Sequence, residues 1–320
     1  MILAGDIGGT KTNLGLFEER HGKLVKVVHE RYPSREHAGL EEIVSAFLKQ
    51  TGAKPTAAGF GIAGPVVDYR VHTGNLPWIV DGATLARMLG VAKVVLLNDL
   101  EACGYGIPLM GAADLETLYA GTPSEKTPRV IIAAGTGLGE CLMFWTGSQF
   151  TPMATEAGHA DFAPQTDQHA DLWKFIKARN EFVSAEMVLS GRGFQTIHEF
   201  LKPDLIHPGF DNPSVDPAPE ITRRALANEC PVCLAAVDLW IEIYGSEAGN
   251  LTVRNVARGG IYVAGGIAVK ILPRLRDGRF VAAAQHKEKM ADFLKAVPIQ
   301  VVLNEDCPLI GAASAARATA

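Results

Sequence analysis

The hydrophobic positions of the N-terminal third change between a strand period and a helix period, and this alternation predicts an α/β fold. The strand-like runs lie at 2–8, 12–19, 24–32, 56–63 and 93–98, with His21-Gly22-Lys23 as the turn between the second and third. The helical patterns lie at 39–50, 82–90 and 99–107. Three consecutive strands followed by alternating helices and strands indicate an antiparallel meander within a mixed sheet.

The rest of the chain repeats the opening hairpin pattern at 129–145 and then becomes mostly helical. The helical patterns lie at 168–179, 184–201, 218–228 and 232–252. Residues 261–266 indicate a strand that ends in a glycine turn before another helix. Five prolines between 203 and 219 predict a surface loop or a crossover. The recurrence of one hairpin pattern predicts two related halves.

Each half has a glycine-rich turn between two apolar strand-like runs. The turns are Gly5-Asp6-Ile7-Gly8-Gly9-Thr10-Lys11 and Ala134-Gly135-Thr136-Gly137-Leu138-Gly139. Successive backbone N–H groups in such turns form a concave site for anions, so nucleotide phosphates are candidate ligands. A plain β-hairpin also requires glycine at its turn, and that alternative stays open. Asp6 favours a ligand at the first turn, because a carboxylate among apolar residues needs a partner such as a metal–phosphate complex.

Two common phosphate motifs are excluded by what surrounds the glycines. The chain has no Gly-x-x-x-x-Gly-Lys-Ser/Thr sequence, so it is not a P-loop protein. The second turn lacks the Rossmann spacing and continues into a strand, whereas a dinucleotide site requires that a helix follow.

Length and composition indicate a globular protein that binds small molecules. A chain of 320 residues suggests about two domains. The net charge of −5 and the isoelectric point near 6.0 argue against a nucleic-acid partner. The chain has no apolar run of the length that a membrane span needs, and a strand-like run at its start leads us to expect no signal peptide. A cytoplasmic protein is therefore expected.

The five cysteines are too few and too scattered for a secreted disulfide framework, so we expect reduced thiols. Cys230-Pro231-Val232-Cys233 has the spacing of a metal-binding pair. No second such pair and no well-placed histidine accompanies it, which argues against zinc. The pair precedes a long apolar stretch, 234–251, that reads as a buried helix, and buried structural thiols are the favoured interpretation.

Three polar clusters are candidates for chemistry. Asn98 and Asp99 end an apolar strand-like run just before a helix, which is where α/β proteins place ligands, although either residue also suits a helix N-cap. The segment 155–161 contains Glu156, His159 and a second carboxylate. Glu186 is the third candidate, and a favourable interaction with a helix dipole is an adequate alternative for it.

Taken in chain order, these motifs resemble those of the bacterial glucokinases over almost the whole sequence. The matching segments are Asp6-Ile7-Gly8-Gly9-Thr10, Leu97-Asn98-Asp99, Ala134-Gly135-Thr136-Gly137-Leu138-Gly139, Glu156-Ala157-Gly158-His159 with Asp161-Phe162-Ala163-Pro164, Glu186 with Ser190-Gly191-Arg192-Gly193, and Val263-Ala264-Gly265-Gly266-Ile267. The resemblance implies the ribonuclease-H-like actin/hexokinase fold, with two domains that close over a cleft. It implies a small domain, 1–110, completed by a C-terminal helix at 305–320, and a large domain, 111–304. A homodimer is plausible on the same ground.

The resemblance also implies the roles of single residues. Asp99 is expected to be the general base toward the sugar's 6-hydroxyl. The other sugar contacts are expected to be Asn98, Glu156, His159 and Glu186. The ATP contacts are expected to be Gly8, Gly9, Thr10, Lys11, Gly135, Thr136, Gly137, Gly265 and Gly266. Asp6 is expected to act through Mg²⁺, which proteins hold by one or two carboxylates together with substrate phosphates.

Two features depart from related patterns. Many hexokinase-type turns have an arginine three residues after the threonine, where this chain has Asn13, and Lys11 is either the phosphate cation or a solvated turn residue. The zinc-binding ROK sugar kinases have a cysteine cluster after their Glu-x-Gly-His segment, whereas the next cysteine after His159 is Cys230. We therefore expect no zinc, with His159 as a sugar contact.

Three alternatives remain at this point. A sugar-responsive regulator would carry a helix-turn-helix before the first hairpin, and only five residues precede Asp6. An actin-like or chaperone-like ATPase would not need the polar clusters described above. A kinase for mannose, fructose or an N-acetylated hexose would share all of them, because hexose discrimination depends on the detailed shape of the pocket.

Overall fold

The structure is a computed structural model that describes residues 1–74, 76–207, 210 and 216–317. The chain forms two compact units. Unit 1 consists of Met1–Asp114, Thr146–Ala154 and the chain from Asn304 onward, and unit 2 consists of Leu115–Trp145 and Thr155–Leu303.

Runs of consecutive strands and runs of consecutive helices follow one another along the chain. The strands are β1 (Ile2–Ile7), β2 (Lys11–Arg20), β3 (Lys23–Pro33), β4 (Ala57–Ile62), β5 (Val66–Val67), β6 (Arg70–His72), β7 (Ile79–Asp81), β8 (Val94–Asn98), β9 (Leu115–Tyr119), β10 (Arg129–Ala134), β11 (Leu138–Trp145), β12 (Phe150–Thr155), β13 (Ile261–Ala264) and β14 (Ile299–Val302). The helices are α1 (Leu40–Thr51), α2 (Gly82–Leu89), α3 (Asp99–Gly106), α4 (Asp167–Lys177), α5 (Ala185–Val188), α6 (Gly191–Leu201), α7 (Ala218–Leu226), α8 (Pro231–Arg254), α9 (Gly266–Lys270), α10 (Leu272–Leu275), α11 (Arg279–Gln285), α12 (Ala291–Leu294) and α13 (Cys307–Arg317).

The main sheet of unit 1 has the order β3-β2-β1-β4-β8. The first three strands are antiparallel, and β1, β4 and β8 are parallel, so the predicted meander and mixed sheet are confirmed. His21 and Gly22 form the two-residue loop between β2 and β3 with φ values of 53° and 75°. Such a left-handed pair matches the twist of a hairpin. The small sheet β5-β6-β7 was not predicted, because strands of two or three residues show no readable alternation.

Unit 2 repeats the same relation between a hairpin and parallel strands. Its strands lie in the order β11-β10-β13-β14-β9, with β10 antiparallel to β11 and parallel to β13. In unit 1, β1 is likewise antiparallel to β2 and parallel to β4. The two halves are therefore duplicates of one βββ-type unit, and both glycine turns join the equivalent strand pair.

The prediction of one helix over 184–201 is wrong, because two helices, α5 and α6, occupy this range. Ser190 between them is extended, with φ −133° and ψ −179°. The break lets the Gly191 N–H donate to the Gly135 carbonyl oxygen at 2.9 Å. A Cβ at Gly193 would overlap the Val188 carbonyl, so the glycine also permits the close return of α6. The apolar period continues across the break, which explains the error.

The long helix α8 lies in the core of unit 2, as its apolar sequence predicts. Trp240 and Tyr244 are fully buried, and Trp240 stacks on Phe194 with ring centroids 4.7 Å apart. The Trp240 Nε1–H donates to the Ser190 carbonyl, and the Tyr244 hydroxyl donates to the Ile132 carbonyl in β10. The second bond fixes the strand that leads into the second glycine turn, and the first fixes the residue before Gly191, whose N–H donates to the Gly135 carbonyl.

Candidate functional site

The first glycine turn is held from behind by Ser34. Its hydroxyl donates to the Gly8 carbonyl at 2.8 Å, and its backbone N–H donates to the Thr10 carbonyl at 3.0 Å. A third bond joins the Ser34 hydroxyl to that of Thr12 at 3.0 Å, and both side chains are buried. Together with the bond from the Gly8 N–H to the Lys11 carbonyl at 3.0 Å, these contacts fix the shape of the turn.

Asp6 lies near the end of β1, opposite Asn13 of β2. The Asn13 amide donates to Asp6 Oδ2 at 3.0 Å, and Arg31 Nε donates to Asn13 Oδ1 at 3.0 Å. Burial raises the pKa of Asp6 to about 6, the Asn13 hydrogen bond opposes this rise, and the charge of Asp99 adds to it. A half-buried carboxylate near a second carboxylate is a place where a cation lowers the free energy.

Asn98 and Asp99 lie where β8 ends and α3 begins. Asn98 Oδ1 accepts the Leu100 N–H at 2.9 Å, while the Glu101 carboxylate accepts the Asn98 N–H at 3.0 Å, which is a capping box. The N-cap alternative is therefore confirmed for Asn98. Its Nδ2 also donates to the Gly64 carbonyl at 3.2 Å. Asp99 is half-buried at the first position of α3, where the helix dipole favours a negative charge.

In unit 2 the second glycine turn contacts Glu186 directly. Glu186 Oε2 accepts the Leu138 N–H at 2.9 Å. A Cβ at Gly137 would overlap that same oxygen, whereas a Cβ at Gly135 would meet nothing within 4 Å. The approach of Glu186 therefore requires glycine at position 137, whereas no neighbouring atom requires glycine at position 135.

His159 lies between two carboxylates in unit 2. Its Nε2 is 3.9 Å from Glu156 Oε2, and its Nδ1 is 3.9 Å from Glu186 Oε1. An Asp161–Ser184 bridge and a hydrogen bond from the Ala185 N–H to the Ala160 carbonyl hold the two segments together. The side chains of His159 and Glu156 are 62% and 59% exposed, so this cluster is open to a ligand.

The third glycine pair lies beside the second turn. Gly265 follows β13, which pairs in parallel with β10, and it has φ 86°. A Cβ there would lie 2.6 Å from the Ala134 carbonyl oxygen, so only glycine allows this approach. Gly266, the first residue of α9, borders open space.

The structure thus places the predicted residues in two groups. Asp6, the first turn, Asn98 and Asp99 are in unit 1, while Glu156, His159, Glu186 and the other two turns are in unit 2. Lys11 is exposed, and its charge lowers the pKa of Asp6. Sequence reasoning missed Ser34 and Arg31, which act on the first turn and on Asn13. Pro33, directly after the predicted strand at 24–32, was the available sequence signal that the chain changes direction at Ser34.

The premise that no histidine accompanies Cys230 and Cys233 is wrong. His207 Nε2 lies 3.3 Å from Cys233 Sγ, and His198 is in the same group. The helical packing of unit 2 brings these residues together from distant positions. Among the residues described, no helix combines the length and the apolar character that a membrane crossing requires.

Comparisons with known proteins agree with one another. The family model described as "Glucokinase" matches residues 3–319. A curated glucokinase of Nostoc punctiforme is 38% identical over 333 aligned residues, which cover 98% of each chain. The solved glucokinase of an Antarctic psychrotroph is 28% identical, with a TM-score of 0.86 over 99% of this chain and 98% of that one. The solved glucokinase of Balamuthia mandrillaris in complex with glucose is 22% identical and shares the fold, with a TM-score of 0.78 and coverage of 99% and 93%.

Proposed function

This chain belongs to the glucokinase family and is an ATP-dependent glucose kinase, and we propose that Asp99 is the general base of its reaction. The oxygen of the sugar's 6-hydroxyl attacks the γ-phosphorus of ATP, the bond to the β-phosphate oxygen breaks, and ADP leaves. Asp99 accepts the hydroxyl proton as the new bond forms. The position of Asp99 at the start of α3, next to Asn98 at the carboxyl end of β8, is the observation that supports this role.

Two features of this position suit a base. The N-terminus of α3 favours the anionic form, which is the form that accepts a proton. The Leu100 N–H donates to Asp99 Oδ1 at 2.9 Å and orients the carboxylate. We propose that this carboxylate accepts the proton of the sugar hydroxyl.

Asn98 is proposed to bind sugar hydroxyls with the part of its amide that the fold does not use. An amide has two N–H donors and an oxygen with two lone pairs. One donor binds the Gly64 carbonyl and one lone pair accepts the Leu100 N–H. One N–H and one lone pair are left for a sugar, and capping and binding are therefore compatible.

Glu156, His159 and Glu186 are proposed to bind the remaining hydroxyls. Hydroxyl groups donate well to carboxylates and pair with either face of a neutral imidazole. The cluster is exposed, and the 3.9 Å separations between its carboxylates and the imidazole nitrogens are longer than a hydrogen bond, so these groups can bind ligand hydroxyls instead of one another. The glucose complex of the Balamuthia enzyme supports a hexose as the ligand. At His159 we propose a sugar contact and no zinc.

ATP is proposed to lie against the three glycine turns. Gly8, Gly9 and Thr10, with Lys11 as the cation, would contact its phosphates from unit 1. Gly135, Thr136 and Gly137 would contact phosphates from unit 2, and Gly265 and Gly266 the adenosine. The open space at Gly135 and at Gly266 supports this assignment, since neither glycine is explained by a protein neighbour.

Asp6 is proposed to hold Mg²⁺ through its hydration shell. The residues fit this ion, because a hard cation prefers carboxylate oxygen and Asp6 is costly to ionise without one. When bound with ATP, Mg²⁺ neutralises charge on the phosphates. Asn13 orients the Asp6 carboxylate for this role.

We propose that the enzyme is cytoplasmic. All five cysteines are buried thiols outside disulfides, which suits a reducing cytoplasm. A homodimer stays a prediction from the resemblance. Because α8 is buried in its own unit, a dimer would use another surface. Mannose, fructose or an N-acetylated hexose stay open as further substrates.

The test is a coupled ADP-release assay with ATP, Mg²⁺ and a panel of hexoses, performed on the wild type and on Asp99→Asn. Loss of a general base typically lowers the rate by about 10² to 10⁴ fold. Asp81→Asn is the matched control, because it makes the same change at the N-cap of α2 in the same unit.

We expect glucose-dependent turnover that collapses in Asp99→Asn and survives in Asp81→Asn. If Asp99→Asn kept turnover within a few fold of the wild type, the assignment of the base would be wrong. Turnover of another hexose at the rate of glucose would retain the mechanism and broaden the substrate range.

A further inference from the structure

Three residues that can bind metals meet at a buried point in unit 2, and Cys230, whose Sγ accepts the Cys233 N–H, lies next to Cys233. His198 belongs to the last turns of α6, His207 follows that helix, Cys230 is the N-cap of α8, and Cys233 is in its first turn. His198, His207 and Cys233 each present a ligand atom, and these atoms lie within 4.8 Å of one another. Their exposed fractions are 1%, 9% and 0%, and that of Cys230 is 6%.

Hydrogen bonding inside the protein does not account for the whole group. A Cys233 thiol that donates to His207 Nε2 explains their separation of 3.3 Å. His198 Nε2, however, is buried and has no hydrogen-bond partner in the part of the chain that the structure describes. A buried imidazole nitrogen without a partner destabilises the folded state, because it has lost its hydrogen bonds to water. A metal ion coordinated by the lone pair of this nitrogen would remove that destabilisation.

We propose that His198, His207 and Cys233, with Cys230 as the fourth ligand, form a structural Zn²⁺ site. Two imidazoles and two thiolates are a common ligand set for structural zinc. Zinc–nitrogen bonds of about 2.0–2.1 Å and zinc–sulfur bonds of about 2.3 Å put neighbouring N and S ligands roughly 3.5 Å apart in a tetrahedron. The observed separation of His207 Nε2 and Cys233 Sγ already lies near this value.

The charge of this ligand set suits a buried position. Two thiolates and one Zn²⁺ are neutral together, so no net charge is buried. Burial raises the pKa of the Cys233 thiol, so formation of its thiolate depends on the bound cation. Arg224 and Glu220 of α7 also face the group, and they form an ion pair at 2.7 Å.

The site is separate from the residues proposed to bind sugar and ATP. It joins α6 to the first turn of α8, and these helices pack on each other in unit 2. A metal there would fix the N-terminus of α8 and the helix that follows the break at Ser190. We therefore expect metal loss to lower stability more than it lowers the catalytic rate.

The test uses the full-length chain purified without a histidine tag, since a tag would bind the probe. Metal is removed with a chelator, and Co²⁺ is added as a spectroscopic substitute for Zn²⁺. Absorption of tetrahedral Co²⁺ and a thiolate-to-cobalt charge-transfer band report on geometry and on sulfur ligation. The variants are Cys233→Ser and His207→Gln, and Cys141→Ser is the matched control because it removes another buried thiol of unit 2.

We expect one Co²⁺ per chain, with a charge-transfer band that disappears in Cys233→Ser and persists in Cys141→Ser. In His207→Gln the bands should shift or vanish. X-ray absorption of the unaltered chain loaded with Zn²⁺ should show mixed nitrogen and sulfur ligands, and this measurement does not depend on the folding of a variant. Absence of the charge-transfer band in the wild type, or an equal band in Cys233→Ser, would overturn the proposal and leave only a thiol–imidazole hydrogen bond.

Discussion

Glu186 Oε2 accepts the backbone N–H of Leu138 at 2.9 Å, so a proposed sugar contact is bound to the proposed phosphate turn. The other oxygen of Glu186 faces His159 Nδ1 at 3.9 Å. One carboxylate therefore supports the glycine turn with one oxygen and can receive a hydroxyl with the other. A substitution that keeps the hydrogen bond to Leu138 and weakens the contact with a sugar hydroxyl would separate these two functions.

Glu186→Gln is such a substitution, because its amide oxygen can still accept the Leu138 N–H while the negative charge is lost. Hydrogen bonds to charged groups contribute about 1.5–3 kcal/mol, so we expect kcat/KM for glucose to fall by roughly 10 to 100 fold. The KM for ATP should change little. Steady-state kinetics with each substrate varied in turn measure both values, and Glu181→Gln, at an exposed position nearby, is the control. An equal rise in both KM values would show that Glu186 acts only as a support of the turn.

The two glycines of the second turn should respond differently to the same added methyl group. Gly137→Ala places a Cβ where Glu186 Oε2 lies, so we expect weaker glucose binding together with lower stability. Gly135→Ala meets no atom within 4 Å, and we expect its thermal unfolding to match the wild type. If ATP lies against Gly135 as proposed, the KM for ATP should nevertheless rise several fold.

These outcomes are measured by thermal unfolding and by steady-state kinetics on both variants. A Gly135→Ala enzyme with unchanged kinetics for ATP would exclude close approach of the nucleotide at this glycine. A Gly137→Ala enzyme with normal glucose kinetics would contradict the assignment of Glu186 to the sugar.

Most of the fold was readable from the sequence, because its longer elements carry a clear period and its turns carry glycine. The hairpins β1-β2 and β10-β11 and the buried helix α8 are examples. The break between α5 and α6 was missed, since its cause is the approach of Gly191 to the distant Gly135. The short strands β5 to β7 were missed because they contain too few residues to show alternation.

The site was readable only where its residues belong to local motifs. Asp6, Asn98 and Glu156 stand in such motifs, so they could be selected as candidates. Ser34 supports Gly8 across 26 positions, and no local pattern connects them. His198 and His207 meet Cys233 only because α6 and α8 pack together.

Asn13→Ala should move the acidic limb of the pH–rate profile to higher pH. Asp6 has a pKa of about 6, and the Asn13 hydrogen bond lowers it. If ionised Asp6 holds Mg²⁺, the rate at limiting Mg²⁺ rises with pH as Asp6 loses its proton. Removal of the hydrogen bond favours the protonated form and should shift the limb upward by about one pH unit.

The profile of kcat/KM for ATP at limiting Mg²⁺ measures this shift. Arg31→Gln, which removes the partner of Asn13 Oδ1, should give a smaller shift in the same direction. Arg20→Gln, at an exposed arginine of the same strand pair, should give none. A profile that does not move in Asn13→Ala would separate Asp6 from the metal.

Because of Glu140, the free energy of unfolding should fall as pH rises. A salt-bridged carboxylate has the opposite effect on this pH dependence. It is fully buried in β11, and its carboxylate oxygens have no hydrogen-bond partner within the described ranges. Burial, with the charge of Glu247 second, raises its pKa from 4.5 to about 8. Between these two values the folded state retains a proton that the unfolded state releases, so the free energy of unfolding falls with increasing pH.

Glu140→Gln removes this titration while keeping the shape of the side chain. Each pH unit within the window changes the free energy of unfolding by at most about 1.4 kcal/mol. Between pH 4.5 and pH 7 the free energy of unfolding of the variant should therefore rise relative to that of the wild type by up to ~3 kcal/mol. Urea unfolding across this pH range measures the difference, and Glu125→Gln, at an exposed position of the same unit, should follow the wild type. Parallel curves for Glu140→Gln and the wild type would mean that Glu140 is already ionised in the folded state. Arg254 would then be the charge that stabilises the carboxylate, because it lowers the pKa of Glu140.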